Sequence, residues 1–352
     1  MGDIPSPIII KRGDEVMEKN IKDFEVVEMC VTSKCNLKCT HCYQSNEKNK
    51  FELGISQIKN VIDYTKKHNC RKYVLSGGEF FTHPNAYEIL EYIVTNTAAE
   101  ITCVTNAILL DVDRLVKIVP PSRMKFKISI DGDEEQHDAR RGKGMFLKVE
   151  DKIKKLRNCG YVVDITMTLI EENIHCIPAV LANPVFEKVT LMPVATTGAA
   201  CENFSHERDS ETYKQVICHT YKTCRDYVDG SHRCYIFPRC FSVKYDGSIY
   251  PCSLSRDYDL CKFGDLNKNT IEEIIENFLR SEKSNMFFEY KNNGQIEKCN
   301  NCSENTECTR GCRIRAFKWN NSLISSDPFA CKIFRNEYED KTFGEIYWGT
   351  KK

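Results

Sequence analysis

The stretch Cys35-Asn36-Leu37-Lys38-Cys39-Thr40-His41-Cys42-Tyr43 follows a strand-like run at residues 24–29. Its three thiols have the spacing C-x3-C-x2-C. Three thiolates so close together, on a loop that leaves a strand, can hold three irons of a cubane [4Fe–4S] cluster and leave the fourth iron open to a small molecule. A structural zinc site normally requires four ligands in two pairs. The spacing therefore predicts an iron–sulfur loop, with chance clustering of cysteines as the alternative.

Cys35, Cys39 and Cys42, followed by the aromatic Tyr43, resemble the signature of the radical S-adenosylmethionine (SAM) enzymes. The resemblance continues downstream in the expected order. It implies that SAM binds at the open iron and that Tyr43 belongs to the cofactor site. It also implies that SAM is cleaved to methionine and a 5′-deoxyadenosyl radical, which abstracts hydrogen from a substrate.

Composition excludes several classes of protein. The chain has 352 residues with 50 Lys+Arg and 50 Asp+Glu, so no net charge marks nucleic acid or an anionic membrane as a partner. No apolar run approaches the roughly 20 residues of a membrane-spanning helix, and no secretory signal is present. In such a chain, 20 clustered cysteines indicate metal or cluster ligation rather than disulfides. We therefore predict a reducing, cytoplasmic setting.

Residues 24–195 alternate between short β-rich runs and longer helical patterns, which predicts parallel βα units. The candidate strands cover residues 24–29, 72–75, 100–105, 125–130, 162–169 and 188–192, and the candidate helices cover residues 56–68, 86–95, 111–118, 145–158 and 174–182. Six such units fit a partial (β/α)6 barrel of the TIM type, as the resemblance also implies. The chemistry of such barrels lies at the carboxyl ends of the strands.

The remaining chain divides into three parts. Residues 1–23 are read as a short lead-in, too short for a separate peptide-recognition domain, and residues 196–232 as a connecting helical segment. Residues 233–352 are rich in cysteine and form the second module.

Candidate SAM-binding residues follow the strands. After the second strand, Ser76-Gly77-Gly78-Glu79 resembles the GGE motif that binds the amino group of SAM. Glycines let the backbone approach a ligand closely, and Glu79 can accept from an ammonium group. After the third strand, Thr105-Asn106-Ala107 is similar to the family's TNG, with Ala107 in place of glycine.

Further candidates follow the fourth and sixth strands. Ser129 and Asp131 can pair with the ribose hydroxyls or the carboxylate of SAM. In the segment that follows, the resemblance assigns the carboxylate contact to Arg141, with Arg140 in reserve, because a guanidinium matches a carboxylate. A solvated charged turn is the alternative. Met192 can contact adenine, or it can simply end a core strand.

The second module resembles the SPASM domain, which holds two auxiliary [4Fe–4S] clusters. Asp246-Gly247 predicts a hairpin turn within it. By resemblance, one cluster is held by Cys234, Cys240, Cys252 and Cys312, and the other by Cys299, Cys302, Cys308 and Cys331. A zinc ribbon is the alternative for these cysteines. The cofactors expected are therefore three [4Fe–4S] clusters and SAM.

The function implied is modification of a peptide, by crosslinking or epimerisation. Ser253 stands where the sulfatase-maturating branch has an Asp, which counts against formylglycine formation. The alternatives are a SPASM-type dehydrogenase or epimerase on a small polar metabolite, and a non-enzymatic Fe–S or zinc scaffold. Expected partners are the peptide, a separate leader-recognition protein and a low-potential electron donor such as flavodoxin or ferredoxin. Of the spare cysteines, Cys176, Cys201 and Cys261 are candidates for a hydrogen-atom donor facing the cleft.

Overall fold

The structure is a computed structural model. It describes residues 8–12, 15–19, 21, 23–42, 50–194, 211, 214–218, 236–256, 258–287, 296–304, 308, 310–335 and 337. Tyr43, Cys201 and Cys234, as well as most of the connecting segment, lie outside these residues.

Six parallel strands in sequential order form the barrel sheet, which confirms the predicted fold class. They are β3 (Val26–Cys30), β4 (Lys72–Ser76), β5 (Glu100–Thr105), β6 (Met124–Ser129), β7 (Val162–Leu169) and β8 (Lys188–Pro193). The bounds of β5 and β7 are those that the sequence predicts. A hairpin of β1 (Ile8–Arg12) and β2 (Glu15–Lys19) precedes the barrel, and the sequence analysis did not predict it.

Helices follow the barrel strands. They are α1 (Ile55–Lys67), α2 (Ala86–Asn96), α3 (Val112–Leu115), α4 (Glu134–Arg141), α5 (Met145–Asn158) and α6 (Ile177–Ala182). The helix predicted at residues 174–182 is instead a 3₁₀ segment, Glu171–Cys176, that leads into α6. Pro178 explains the break, since its ring would clash with the carbonyl four residues earlier in a continuous α-helix.

Helix α4 occupies the segment for which a charged turn was the alternative. Asp133 caps its first turn by accepting a hydrogen bond from the backbone N–H of Gln136 at 3.0 Å. Gly142, with a φ of +116°, ends it. The backbone therefore presents Arg140 and Arg141 on the last turn of a helix rather than on a solvated loop.

The second module extends the barrel sheet. Strand β9 (Cys240–Val243) pairs in parallel with β3, and β10 (Ser248–Tyr250) and β11 (Gly264–Asp265) continue the sheet outward. Gly247, with a φ of +87°, closes the β9–β10 hairpin, which confirms the predicted turn. The predicted boundary at residue 233 therefore does not separate two sheets.

The later helices are α7 (Ile271–Arg280), α8 (Glu297–Asn300), α9 (Arg313–Asn320) and α10 (Pro328–Arg335). In the part of the chain that the structure describes, no helix is long and apolar enough to cross a membrane.

Residues on each barrel strand alternate between an apolar and a more polar face. On β3, for example, Val27 and Met29 are fully buried in the hydrophobic core, whereas Glu28 between them is partly exposed. Lys127 on β6 lies beside Asp164 on β7 in the strand register, and burial lowers the pKa of that lysine. Charged side chains on this second face give the barrel a polar lining.

Substitution of Phe241 tests whether β9 packs as an integral part of the barrel. Its side chain is fully buried and its ring packs edge-on against that of Phe24, with centroids 5.1 Å apart. We expect Phe241→Ala to lower the free energy of unfolding by about 3–5 kcal/mol, measured by denaturant unfolding followed by circular dichroism. Phe51→Ala is the control, because Phe51 is 39% exposed, and it should cost about 1 kcal/mol. Equal effects of the two variants would contradict a packed β3–β9 junction.

Candidate active site and cluster-binding residues

The cysteine loop begins against the glycine pair after β4. The backbone N–H of Gly78 donates to the carbonyl of Thr32 at 2.7 Å, and that of Glu79 donates to the carbonyl of Lys34 at 2.8 Å. A Cβ added at Gly78 would lie 2.7 Å from the carbonyl oxygen of Ser33 and closer still to that of Lys34. The glycine is therefore needed for the approach of two backbones, a role that the sequence analysis missed.

Glu79 ties the end of β4 to the end of β5. Its side chain is 2% exposed, and it accepts hydrogen bonds from the Thr105 hydroxyl at 2.6 Å and from the backbone N–H groups of Asn106 and Phe81, at 2.7 and 3.2 Å. Burial raises the pKa of this carboxyl, and these hydrogen bonds oppose the shift. The carboxylate that the sequence assigns to SAM is thus already oriented by the protein.

Asn106 reaches from β5 to the cysteine loop. Its Nδ2 donates to Oδ1 of Asn36 at 2.9 Å and lies 3.9 Å from Sγ of Cys35. Ala107, next to it, has a φ of +63°, in the left-handed region that favours glycine. Ala107 therefore adopts a backbone conformation that is usual for glycine and uncommon for other residues.

The three thiols of the loop differ in exposure. Cys35 is exposed, whereas Cys39 and Cys42 are partly buried. Burial raises the pKa of Cys35, and it raises the pKa of Cys39 to about 11, so these thiols are protonated at neutral pH until a metal displaces the proton. Nη1 of Arg141 lies 3.9 Å from Sγ of Cys39.

A buried histidine in the same loop has one ring nitrogen without a partner in the described part of the chain. Nδ1 of His41 is buried and has no hydrogen-bond partner among the described residues. Burial also lowers the pKa of His41 to about 4, so the ring is neutral at pH 7. Three thiols on one loop, N–H donors near two of them and an orphaned imidazole nitrogen together fit a site completed by a group from outside the chain.

Asp131, at the end of β6, is fully buried. Its Oδ2 accepts from Nε of Arg141 at 2.5 Å and lies 3.4 Å from Nε2 of His41, and its Oδ1 accepts from the backbone N–H of Thr168 at 3.2 Å. Although burial alone would raise its pKa, Arg141 and His41 hold the pKa of Asp131 well below its usual range. The side chain of Arg141 is only 9% exposed, which excludes a solvated charged turn.

The other barrel candidates lie at the same edge of the sheet. Ser129 is the last residue of β6, and Met192 lies near the end of β8, and both are partly exposed. Arg140, the reserve candidate, is 6% exposed and donates to the carbonyl of Asp131 at 3.0 Å. The structure therefore gives Arg140 an internal role and leaves Arg141 nearer to the cysteine loop.

One pocket brings together four cysteines of the second module. It is lined by Cys299, Cys302, Cys308 and Cys331, the four that the family resemblance groups as one ligand set, together with Lys298, Glu304, Arg310, Ser326, Ala330, Phe334 and Arg335. Cys312, which the sequence places in the other set, is not among the lining residues. Burial raises the pKa of Cys308 to about 12, and Nη1 of Arg335 lies 3.6 Å from Sγ of Cys302.

The other predicted set is only partly described. Cys240 lies in β9, Cys252 lies two residues after the end of β10, and Cys312 lies directly before α9. The backbone N–H of Cys312 donates to Oδ2 of Asp327 at 2.6 Å, and Arg315 pairs with the same buried carboxylate at 2.8 Å. Ser253, after Cys252, donates to the carboxylate of Glu28 on β3 through its N–H at 2.6 Å and through its hydroxyl at 3.1 Å.

The described spare cysteines are mostly buried. Cys30 and Cys103 are fully buried in strands, where a free cysteine packs as a small apolar residue. Cys176 and Cys261 are only 1% and 6% exposed, so the expectation that they face an open cleft is not met.

Comparisons with known proteins show which families the two regions of the chain match. Residues 29–182 match the radical SAM superfamily, and residues 234–303 match the SPASM iron–sulfur cluster-binding domain. A solved structure of anSMEcpe with bound AdoMet superimposes with a TM-score of 0.65 at 18% identity, covering 90% of this chain and 92% of that chain.

Two curated relatives illustrate the range of similarity. The antilisterial bacteriocin subtilosin biosynthesis protein AlbA of Bacillus subtilis (strain 168) is 34% identical over 148 residues, which are 41% of this chain and 33% of that protein. The AdoMet-dependent heme synthase of Methanosarcina barkeri (strain Fusaro / DSM 804) is 24% identical over 340 residues, 85% of this chain and 94% of that protein. The chain therefore matches only about a third of the length of AlbA.

Gly78→Ala tests the approach of the glycine pair to the cysteine loop. Because the added methyl group would collide with backbone carbonyls, we expect the start of the loop to shift, at a cost of about 1–3 kcal/mol. SAM affinity, measured by anaerobic calorimetry on protein reconstituted with iron and sulfide, should fall about tenfold or more. Gly54→Ala is the matched control, because its nearest neighbour, Oε1 of Gln57, would lie at an ordinary 3.4 Å. Wild-type affinity in Gly78→Ala would refute the steric argument.

Proposed function

The chain belongs to the radical SAM superfamily and carries a SPASM domain, and we propose that it is the maturase of a ribosomally made peptide, which it crosslinks or epimerises. The observation that carries the proposal is the 34% identity to AlbA, a protein of bacteriocin biosynthesis, over 148 residues. Family membership also favours an enzyme over a passive cluster-binding scaffold.

In this proposal Cys35, Cys39 and Cys42 hold a [4Fe–4S] cluster at the carboxyl edge of the barrel. When bound there, the reduced cluster and SAM together supply the 5′-deoxyadenosyl radical that abstracts hydrogen from a substrate C–H. The donors that surround this loop, Asn106 and Arg141, lie 3.9 Å from two of the three thiol sulfurs. They offer N–H groups to cysteine sulfurs that become anionic on ligation.

The residues that would bind SAM belong to the neighbouring strand ends. Gly77 and Glu79 would bind the amino group, and Arg141 would bind the carboxylate through its terminal N–H groups, since its Nε is paired with Asp131. Ser129 and Met192, at the ends of β6 and β8, would contact the ribose and the adenine. The protein contributes by orienting two of these groups in advance, since the side chains of Glu79 and Arg141 are already fixed by internal hydrogen bonds.

The second module would hold two auxiliary [4Fe–4S] clusters, which makes three clusters in the chain. The shared pocket of Cys299, Cys302, Cys308 and Cys331 supports one of them. Four thiols for each cluster leave no iron open to substrate, which favours electron transfer over binding of the substrate to iron. An external low-potential donor such as flavodoxin or ferredoxin would supply the first electron.

A second candidate function rests on the longer match. The heme synthase of Methanosarcina barkeri aligns with 85% of this chain, across both regions. An iron porphyrin precursor is therefore the second substrate class to test, and it replaces the small polar metabolite as the main alternative to a peptide.

Metal content tests the cofactor assignment. Anaerobically reconstituted protein should hold roughly twelve irons per chain and form 5′-deoxyadenosine from SAM under strong reductant. Cys308→Ser should remove about four irons and leave SAM cleavage, whereas Cys42→Ala should abolish cleavage. Cys159→Ser is the control, because Cys159 is an exposed cysteine outside all three ligand sets, and it should change neither the iron content nor SAM cleavage. Zinc in place of iron in the second module would contradict the auxiliary clusters.

Substrate class is tested by product analysis. The enzyme, SAM and reductant are mixed either with synthetic precursor peptides encoded beside its gene or with an iron porphyrin precursor. A peptide that loses two hydrogen atoms indicates crosslinking, and one that takes up solvent deuterium without other change indicates epimerisation. A modified porphyrin with unmodified peptides would overturn the peptide assignment.

A further inference from the structure

The carboxyl edge of β6 carries an acidic residue whose role differs from the one its sequence position indicates. We propose that Asp131 is a positioning residue that does not touch SAM, and that its carboxylate fixes Arg141 between the SAM site and Cys39. This inference rests on the proposed function for its ligands, and it assigns separate roles to two residues that the sequence places together at the cofactor.

The bonding of Asp131 leaves little for a ligand. The residue is fully buried, and both carboxylate oxygens already have partners, the guanidinium of Arg141 for Oδ2 and the backbone N–H of Thr168 for Oδ1. Its carbonyl accepts from Nη1 of Arg140 at 3.0 Å and from Nδ2 of Asn173 at 2.9 Å. A ribose hydroxyl would also have to reach a carboxylate with no exposed surface, so the buried groups packed around this charge would have to move.

The orientation of Arg141 follows from this pairing. Its Nε is committed to Asp131, so the two terminal nitrogens point elsewhere: Nη1 lies 3.9 Å from Sγ of Cys39, and Nη2 lies 3.3 Å from Nε2 of His41. The backbone N–H of Thr40, between these two loop residues, donates to the carbonyl of Arg140 at 3.2 Å. The end of α4 is therefore attached to the cysteine loop by both side-chain and backbone contacts.

The charges of Asp131 and Arg141 explain why the two residues should act as a pair. A carboxylate buried near thiolates that ligate iron is a like charge, and Arg141 is the cation in contact with both Asp131 and the loop. If Arg141 is removed alone, the carboxylate of Asp131 remains buried and uncompensated. If both are removed, that penalty disappears. Two residues that contact SAM independently would behave differently, because their losses would multiply.

The experiment is a double-mutant cycle on reconstituted protein with Asp131→Asn, Arg141→Gln and the double variant. SAM affinity is measured by anaerobic calorimetry, and the reduction potential of the SAM-cleaving cluster is measured by EPR titration without SAM. We expect each single variant to weaken SAM binding about 10- to 100-fold, as the loss of a charge-assisted hydrogen bond would. The double variant should be no weaker than Arg141→Gln alone.

The reduction potential of the SAM-cleaving cluster provides a readout that misfolding would not reproduce. Arg141→Gln should lower it, because a cation is lost beside an anionic cluster, and Asp131→Asn should raise it. The double variant should return towards the wild-type value, and Arg141→Lys should stay close to it because the charge is kept. Iron per chain and circular dichroism, recorded for each variant, identify any that fails to fold.

The matched control is the exposed pair Asp151–Lys155, whose charged atoms lie 2.8 Å apart on α5. Asp151→Asn and Lys155→Gln, alone and together, should leave both readouts unchanged. Multiplicative losses of SAM affinity in the Asp131/Arg141 cycle would overturn the positioning role and support two direct contacts. Wild-type protein that acquires an iron–sulfur cluster but does not bind SAM would overturn the proposed function, while the potentials would still report on the pair.

Discussion

The cysteine loop after β3 is held in place by polar contacts from the ends of the neighbouring strands. Gly78 and Glu79 after β4 donate backbone hydrogen bonds to its start, Asn106 after β5 bonds Asn36, and Arg141 reaches Cys39 and His41. Because parallel strands bring their carboxyl ends to one edge, residues far apart in sequence converge there. The geometry of the candidate cluster site thus depends on the whole sheet rather than on the loop alone.

A buried aspartate–arginine pair, like that of Asp131 and Arg141, also lies next to a candidate ligand of the second module. Asp327 is 1% exposed, pairs with Arg315 and accepts a hydrogen bond from the backbone of Cys312. In both places a buried aspartate fixes an arginine, and the pair contacts a cysteine or its backbone. A buried ion pair contributes little net stability, but it specifies one arrangement of the groups around it. That property suits sites in which ligand positions must be set before a metal cluster arrives.

The junction between the two regions is part of the sheet itself. Strand β9 pairs with β3, the strand that leads into the cysteine loop, and Glu25 of the barrel pairs with Arg239. Glu28, on the same strand, accepts two hydrogen bonds from Ser253, directly after Cys252. A candidate auxiliary ligand and the candidate SAM-cleaving loop are therefore both anchored to β3, which holds the two regions in a defined relative position.

The division of the later cysteines into two sets came from a family resemblance, and four of them share one pocket. The sequence by itself determined the six βα units and the cysteine loop. These features depend on local periodicity and on short spacings, which are readable without a fold. It did not reveal helix α4, whose charged sequence resembles a solvated turn, or the continuity of β9 with β3, because pairing between distant strands leaves no local pattern. Nor could it show that the carboxylate of Asp131 is fully buried against Arg141, Thr168 and His41. Those partners come from different segments, and only the tertiary structure brings them to the end of one strand, where burial decides whether a carboxylate faces a ligand or a neighbour.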